Sequence, residues 1–172
     1  MTAESTVSKT PENTSILQST KFTFLIPELP FARYFCQTVS LPGVSTSEVI
    51  VSSPFSNTYR HGDKLNYDVF SINAIVDEDL RVWEETYKWL VALTKPTKFG
   101  EYGKTSFGDG RLYFDGILTI NTNANNPNLR IKFKNCHPTS LGAINFNTSE
   151  NAETIPTADI NFRYDQFEIV RL

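Results

Sequence analysis

The sequence predicts a mainly β chain, a small sandwich or barrel of seven or more strands flanked by one α-helix. Three observations carry this. Thirteen Phe and seven Tyr among 172 residues favour strands over helices. Short runs of alternating apolar residues recur between Pro, Gly and Asn punctuation. Only one segment, from Asp77 to about Thr94, has apolar residues at helical spacing. The length suits one domain with a real core.

Residues 1–19 are rich in Ser and Thr and nearly devoid of apolar side chains. That composition predicts a flexible arm, because too little surface can be buried to offset ordering entropy. Residues 20–172 form a single β domain. Phe22, Phe24 and Ile26 alternate up to Pro27, which predicts a first strand. A second runs from Phe31 to Leu41 and closes at Pro42-Gly43, a pair suited to a type II turn. Val49 to Val51 continue the β pattern until Pro54. From Leu65 to Val76 one long strand is predicted, half-solvated at its start and buried at its end.

The helix is predicted over about 77–94. Asp77, Glu78 and Asp79 open it, where acids complement free N–H groups and the helix dipole. Leu80, Trp83, Tyr87, Leu90, Val91 and Thr94 form its predicted apolar side, and Pro96 ends it. Trp89 lies off that stripe and is a candidate subunit contact, ordinary half-burial being the alternative. Residues 95–110 form a long loop carrying Phe99, Tyr102 and Phe107, which a monomer would shelter poorly. These three are further subunit-interface candidates.

Strands resume over 111–121. Asn-Asn-Pro-Asn at 125–128 is a turn. Leu129, Ile131 and Phe133 then alternate with a basic stripe of Arg130, Lys132 and Lys134. Leu141 to Phe146 and Ala158 to Ile169 complete the set. The apolar phase flips between Tyr164 and Phe167, which predicts a bulge or bend.

Net charge is −3 and the pI about 5.4, so no global basic field draws the chain to nucleic acid or anionic membrane. Cys36 and Cys136 match no metal spacing and are expected to be reduced, buried thiols. No signal peptide is visible, and no window approaches the roughly 18 apolar residues of a membrane span. A soluble protein of a reducing cytoplasm is expected.

Candidate chemistry is sparse. Gly100 to Thr105 echoes a phosphate loop, but Lys98 stands where the first Gly is required. His61 and His137, the only histidines, have no recognisable nucleophile motif beside them. Asp77, Glu78 and Asp79 diverge in direction and make a cap, not a cation site. The basic stripe is expected to be a solvated or salt-bridged face; contact with a polyanion backbone is the alternative. No enzyme, cofactor or metal is expected.

Several segments together are familiar. Leu41-Pro42-Gly43-Val44, Pro54-Phe55, Gly62-Asp63-Lys64-Leu65 and Val76-Asp77-Glu78-Asp79-Leu80 with Trp89 resemble the tail tube family of contractile-tailed, T4-like bacteriophages. Asn135-Cys136-His137-Pro138-Thr139-Ser140-Leu141 and Ala158 to Tyr164 are similar to that family's later segments. The resemblance covers roughly residues 20–170.

It implies a tail-tube-type β-sandwich or barrel and a structural virion protein. Six subunits would close a ring, and rings would stack head to tail into a tube. The implied partners are further copies of the chain, a tail sheath protein, a tape-measure protein and a baseplate tube initiator. DNA would pass through the lumen without sequence-specific binding, and no membrane is involved. Assembly would take place in the host cytoplasm. A conduit should not grip its cargo, so Arg130, Lys132 and Lys134 are expected to face outward or to pair with a neighbour's acids. The alternatives are a tube-like baseplate, initiator or terminator protein of the same fold, and, in another class, a monomeric β-sandwich binding module. Copy number separates the first from a main tube subunit, and solution mass separates the second.

Overall fold

The computed structural model describes residues 14–94, 111–149 and 154–172. The elements run β1 (Phe22–Leu25), α1 (Ala32–Phe35), β2 (Cys36–Ser40), β3 (Val44–Ser52), β4 (Asn57–Tyr67), β5 (Phe70–Ile75), α2 (Arg81–Leu93), β6 (Phe114–Asn121), β7 (Pro127–Leu141), β8 (Thr157–Arg163) and β9 (Gln166–Arg171). The predicted mainly β architecture is present. The expected loop over 95–110, with Phe99, Tyr102 and Phe107, and most of the expected arm lie outside the described residues.

Seven strands form one antiparallel path, β1-β6-β7-β8-β5-β2, with β9 added along β7. The path doubles over, so that β5 faces β1 and the first half of β7. Phe24 of β1 lies 5.4 Å from Phe70 of β5, and Phe70 lies 4.4 Å from Phe133 of β7, ring centroid to centroid. Ile72, Ile131, Ile160 and Phe162 fill the space between. The burial follows strict alternation in β5 and in β8, as strands with one core face require.

β7 is one strand of 15 residues, longer at both ends than the alternation from Leu129 to Lys134 predicts. Its first half pairs with β6 on one side and β9 on the other, and its second half pairs with β8. Asn135 sits at the changeover with φ 55°, a left-handed conformation that Asn tolerates. Its backbone N–H is taken by Asp115 Oδ1 at 3.2 Å. Beyond Leu141 no strand forms; the expected Leu141–Phe146 strand is irregular because Gly142 N–H donates to Asp159 O and turns the chain away.

Three other expectations are corrected. The segment 31–41 opens with the short helix α1, stabilised by Tyr34 and Phe35 N–H groups donating to Phe31 O, before β2 begins. The single strand over 65–76 is two strands, broken at Asp68-Val69, because Tyr67 continues one ladder and Phe70 starts another. The strand over 158–169 divides into β8 and β9 at Tyr164-Asp165, at the predicted phase flip.

The helix starts at Arg81, not Asp77. Asp77 Oδ1 accepts the Arg81 N–H at 2.9 Å, so the acid caps from outside the helix, as its type favours. The buried face is also different: it comprises Val82, Thr86, Trp89 and Ala92. Buried Thr86 satisfies its hydroxyl by donating to Val82 O at 2.8 Å. Trp83 and Tyr87, from the expected apolar side, instead stack on each other 5.7 Å apart nearer solvent.

Candidate assembly surface

β3 and β4 stand apart from the rest. They pair with each other from Val44↔Tyr67 to Ser52↔Asn57 and form a separate two-stranded sheet. Pro42-Gly43 leads out of β2 into this hairpin. At the far end Ser53 closes the turn: its N–H donates to Ser56 O at 3.0 Å, and its Oγ accepts the Ser56 N–H at 3.2 Å. This places Phe55 at the tip, 98% exposed.

The register shifts between Thr46 and Glu48, opposite Gly62. A Cβ at Gly62 would lie 2.1 Å from Ser47 Oγ and 2.5 Å from Ser47 O. Only glycine permits so close an approach, and the extra residue increases the local twist. At the base the hairpin is pinned to the body. Asp68 N–H donates to Gly43 O at 3.0 Å, Arg163 donates to Tyr67 O at 3.1 Å and Tyr164 Oη donates to Asp68 O at 3.1 Å. Burial pushes the Tyr164 phenol up to about 12, which keeps this donor protonated.

Every residue of β3 is exposed, and so is nearly all of β4. Residues directly opposite in an antiparallel pair share a face. Ile50 and Tyr59 therefore lie on one face, and Val49 and Val51 on the other. Both faces carry apolar side chains, and all four are exposed, as are Val44 and Leu65. An isolated two-stranded ribbon is marginal in water, and contiguous exposed apolar surface marks interaction sites.

The expected site residues fall elsewhere. Trp89 is a core residue, 1% exposed; its Nε1 donates to Leu112 O at 2.9 Å and its ring packs on Phe114 and Phe162. Its expected role as a subunit contact is corrected: the deep slot between α2, β6 and β8 takes the indole. Lys132 bonds Asp115 Oδ2 at 2.9 Å, and Lys134 pairs with Glu168 on β9. The hydrogen bond from Lys132 holds the Asp115 carboxyl below its usual value. Two of the three basic residues are thus paired within the chain, while Arg130 has no ion-pair partner among the described residues.

His61 faces Glu48 on the hairpin and His137 stacks edge-on against Tyr113 at 5.2 Å, so the two histidines are not brought together. Among the described residues no group of three or more His, Cys, Asp or Glu side chains is placed to hold a metal, and no helix is long and apolar enough to cross a membrane. Cys36 and Cys136 are free thiols, and burial pushes both up to about 12. The hairpin residues Val49, Ile50, Val51, Phe55 and Tyr59 are not among the interface candidates read from sequence. Their signal was a β-branched run beside an exposed Pro-Phe pair.

No curated sequence is similar enough to match the chain. Among solved structures, a chain of the anti-feeding prophage tube-terminating cap is 12% identical with TM-score 0.67, covering 98% of this chain and 100% of that one. A chain of the six-fold symmetrised anti-feeding prophage baseplate is 9% identical with TM-score 0.67, covering 92% and 97%. A chain of the sheath-tube complex of an extracellular contractile injection system, PVC in the extended state, is 13% identical with TM-score 0.65, covering 99% and 100%. These likenesses show a shared fold. The profile described as phage tail tube protein matches residues 28–170, nearly the whole β domain, and the chain belongs to that family.

Proposed function

We propose that the chain is the repeating subunit of a contractile-tail tube: six copies close a ring, rings stack head to tail, and the bore conducts DNA out of the virion. The single observation that carries self-assembly is the β3–β4 hairpin, a ribbon with apolar side chains on both faces and no body of its own to cover them. A second copy is the economical cover, because a head-to-tail contact repeats at every subunit and propagates without closing. Edge strands of the open path, β1 and β2, would likewise be removed by neighbours in a ring. Sheath, tape-measure and baseplate proteins are the partners this role requires. Electron microscopy of the purified full chain is expected to show rings or tubes with a central bore. A species that stays monomeric at high concentration overturns the reading and favours a binding module.

A second reading, a low-copy terminator or initiator ring, is favoured by the likeness to the chain of a tube-terminating cap. Copies per particle decide between them. A count scaling with tail length identifies the main tube, and a count fixed at a single ring identifies a cap or adaptor.

A further inference from the structure

The two layers turn unlike faces to the outside. Strict alternation in β5 and β8 buries Phe70, Ile72, Ile160 and Phe162, which leaves Ser71, Asn73, Asp159 and Asn161 on the outer face. Directly opposed residues share a face. Thr38 and Ser40 of β2, opposite Asn73 and Ser71, therefore extend that face on one side. Ser140 of β7, opposite Asn161, extends it on the other. Thr38, Ser40 and Ser140 are exposed.

The hydroxyls and amides of this face are bonded to one another. Ser71 Oγ donates to Asn161 Oδ1 at 2.6 Å, and Asn161 Nδ2 donates to Ser140 Oγ at 2.8 Å, a chain across three strands. Asn73 Nδ2 donates to Asp159 Oδ1 at 2.6 Å. Asn73 Oδ1 has no hydrogen-bond partner among the described residues, and as an acceptor it offers nothing to a phosphate. Ile75, half-buried at the end of β5, adds one apolar side chain. Asp159 and Arg163 are the only Asp, Glu, Lys or Arg residues in β2, β5, β8 and the Cys136–Leu141 part of β7. Arg163 stands at the strand end, where it donates to Tyr67 O at the hairpin base. The opposite layer is different: Asp115, Arg130, Lys132, Lys134 and Glu168 lie on β6, β7 and β9.

Every cation that meets a phosphate adds to the hold on a polyanion. A surface past which one slides therefore needs polarity without cations, and donors that are already engaged. We infer that the outer face of β2, β5, β8 and the second half of β7 lines the bore of the proposed tube, a non-adhesive track for hydrated nucleic acid. The inference rests on the tube reading and names the face that meets the cargo. Among the described residues β2 and Pro138–Leu141 of β7 are the open edges of this sheet, so the lining can continue from copy to copy. The charged layer then points away from the cargo.

Cysteine accessibility on the full chain tests it. Thr38→Cys and Ser140→Cys place thiols on the face, and the parent gives the background from Cys36 and Cys136. In the unassembled chain both new thiols are expected to react with N-ethylmaleimide and with a maleimide carried on a protein-sized polyethylene glycol. In long tubes they should still react with the small reagent, which diffuses along the bore, and lose reaction with the large one. Reaction with the large reagent in tubes would put the face outside, and loss of reaction with both would bury it between copies. Either result overturns the lining and leaves the tube standing. Electron microscopy of the unaltered chain needs no variant and should put Ser71 and Asn161 at the smallest radius. A reconstruction with Lys132 and Lys134 there instead also overturns the lining. A chain that forms neither rings nor tubes overturns the lining together with the tube reading.

Discussion

In the body, Phe24, Phe70, Phe133 and Phe162 sit in regular strands and are buried; in the hairpin, Val49, Ile50, Val51 and Tyr59 sit in equally regular strands and are exposed. Both regions use β-branched and aromatic residues on a pleated ladder. The difference is that body strands meet a second layer, whereas β3 and β4 pair only with each other and touch the body at their base. The body therefore owes its stability to its own packing, and the hairpin leaves its apolar surface exposed. A change in the body should be felt by the isolated chain, and a change in the hairpin only by the proposed assembly.

Ranked by effect on the isolated subunit, Trp89→Ala comes first. It empties the slot between α2, β6 and β8 and removes the hydrogen bond to Leu112, so a loss of about 3–5 kcal/mol is expected in urea unfolding. A loss below about 1 kcal/mol would mean that the indole is not a core side chain.

Glu85 comes next, through pH. Its folded carboxyl is raised from 4.5 to about 7, so the folded state holds a proton that the unfolded state has released. The stabilisation is complete below about 4.5 and is lost as pH rises toward 7. A shift of that size corresponds at most to about 3 kcal/mol, and partial solvation reduces this to roughly 1 kcal/mol. Asp115, held low by Lys132, has the opposite sign: its contribution is present above the usual carboxylate range and is lost as pH falls through its lowered value. Thermal unfolding of Glu85→Gln from pH 4.5 to 8 should lack the parent's decline.

Ile50→Asp should alter subunit stability by less than about 0.5 kcal/mol, because the side chain is exposed. Sedimentation should nonetheless show assembly abolished. A variant that assembles normally would separate the hairpin from the contact proposed for it. Lys132→Gln should do least of all, with an unfolding midpoint indistinguishable from the parent, since the ion pair with Asp115 is solvated on both sides.

Much of the body was legible because alternation is a strong signal where one face is buried. Leu129, Ile131 and Phe133 declared their strand, and the phase flip after Tyr164 marked the boundary between β8 and β9. A similar flip was present at Val69-Phe70, but apolar residues on both sides of it looked like a strand becoming buried, so the break between β4 and β5 was missed. The helix face was misassigned because apolar residues surround α2. Small Ala92 and internally bonded Thr86 let the helix come close to the sheet, and spacing alone does not reveal that choice. The hairpin was hardest to see: exposure of a well-formed strand depends on what tertiary structure withholds, and no local pattern encodes an absent second layer.

β7 has a mechanical consequence. One continuous backbone serves the β6–β9 side with its first half and the β8 side with its second. Sliding one half of the doubled-over path against the other must therefore tear ladders on both sides of Asn135 rather than slip along an unbonded seam. Under axial load the strand acts as a keel: it carries tension from the wall holding β9 to the wall holding β5, and the subunit should deform by bending at its hairpin base before its layers shear.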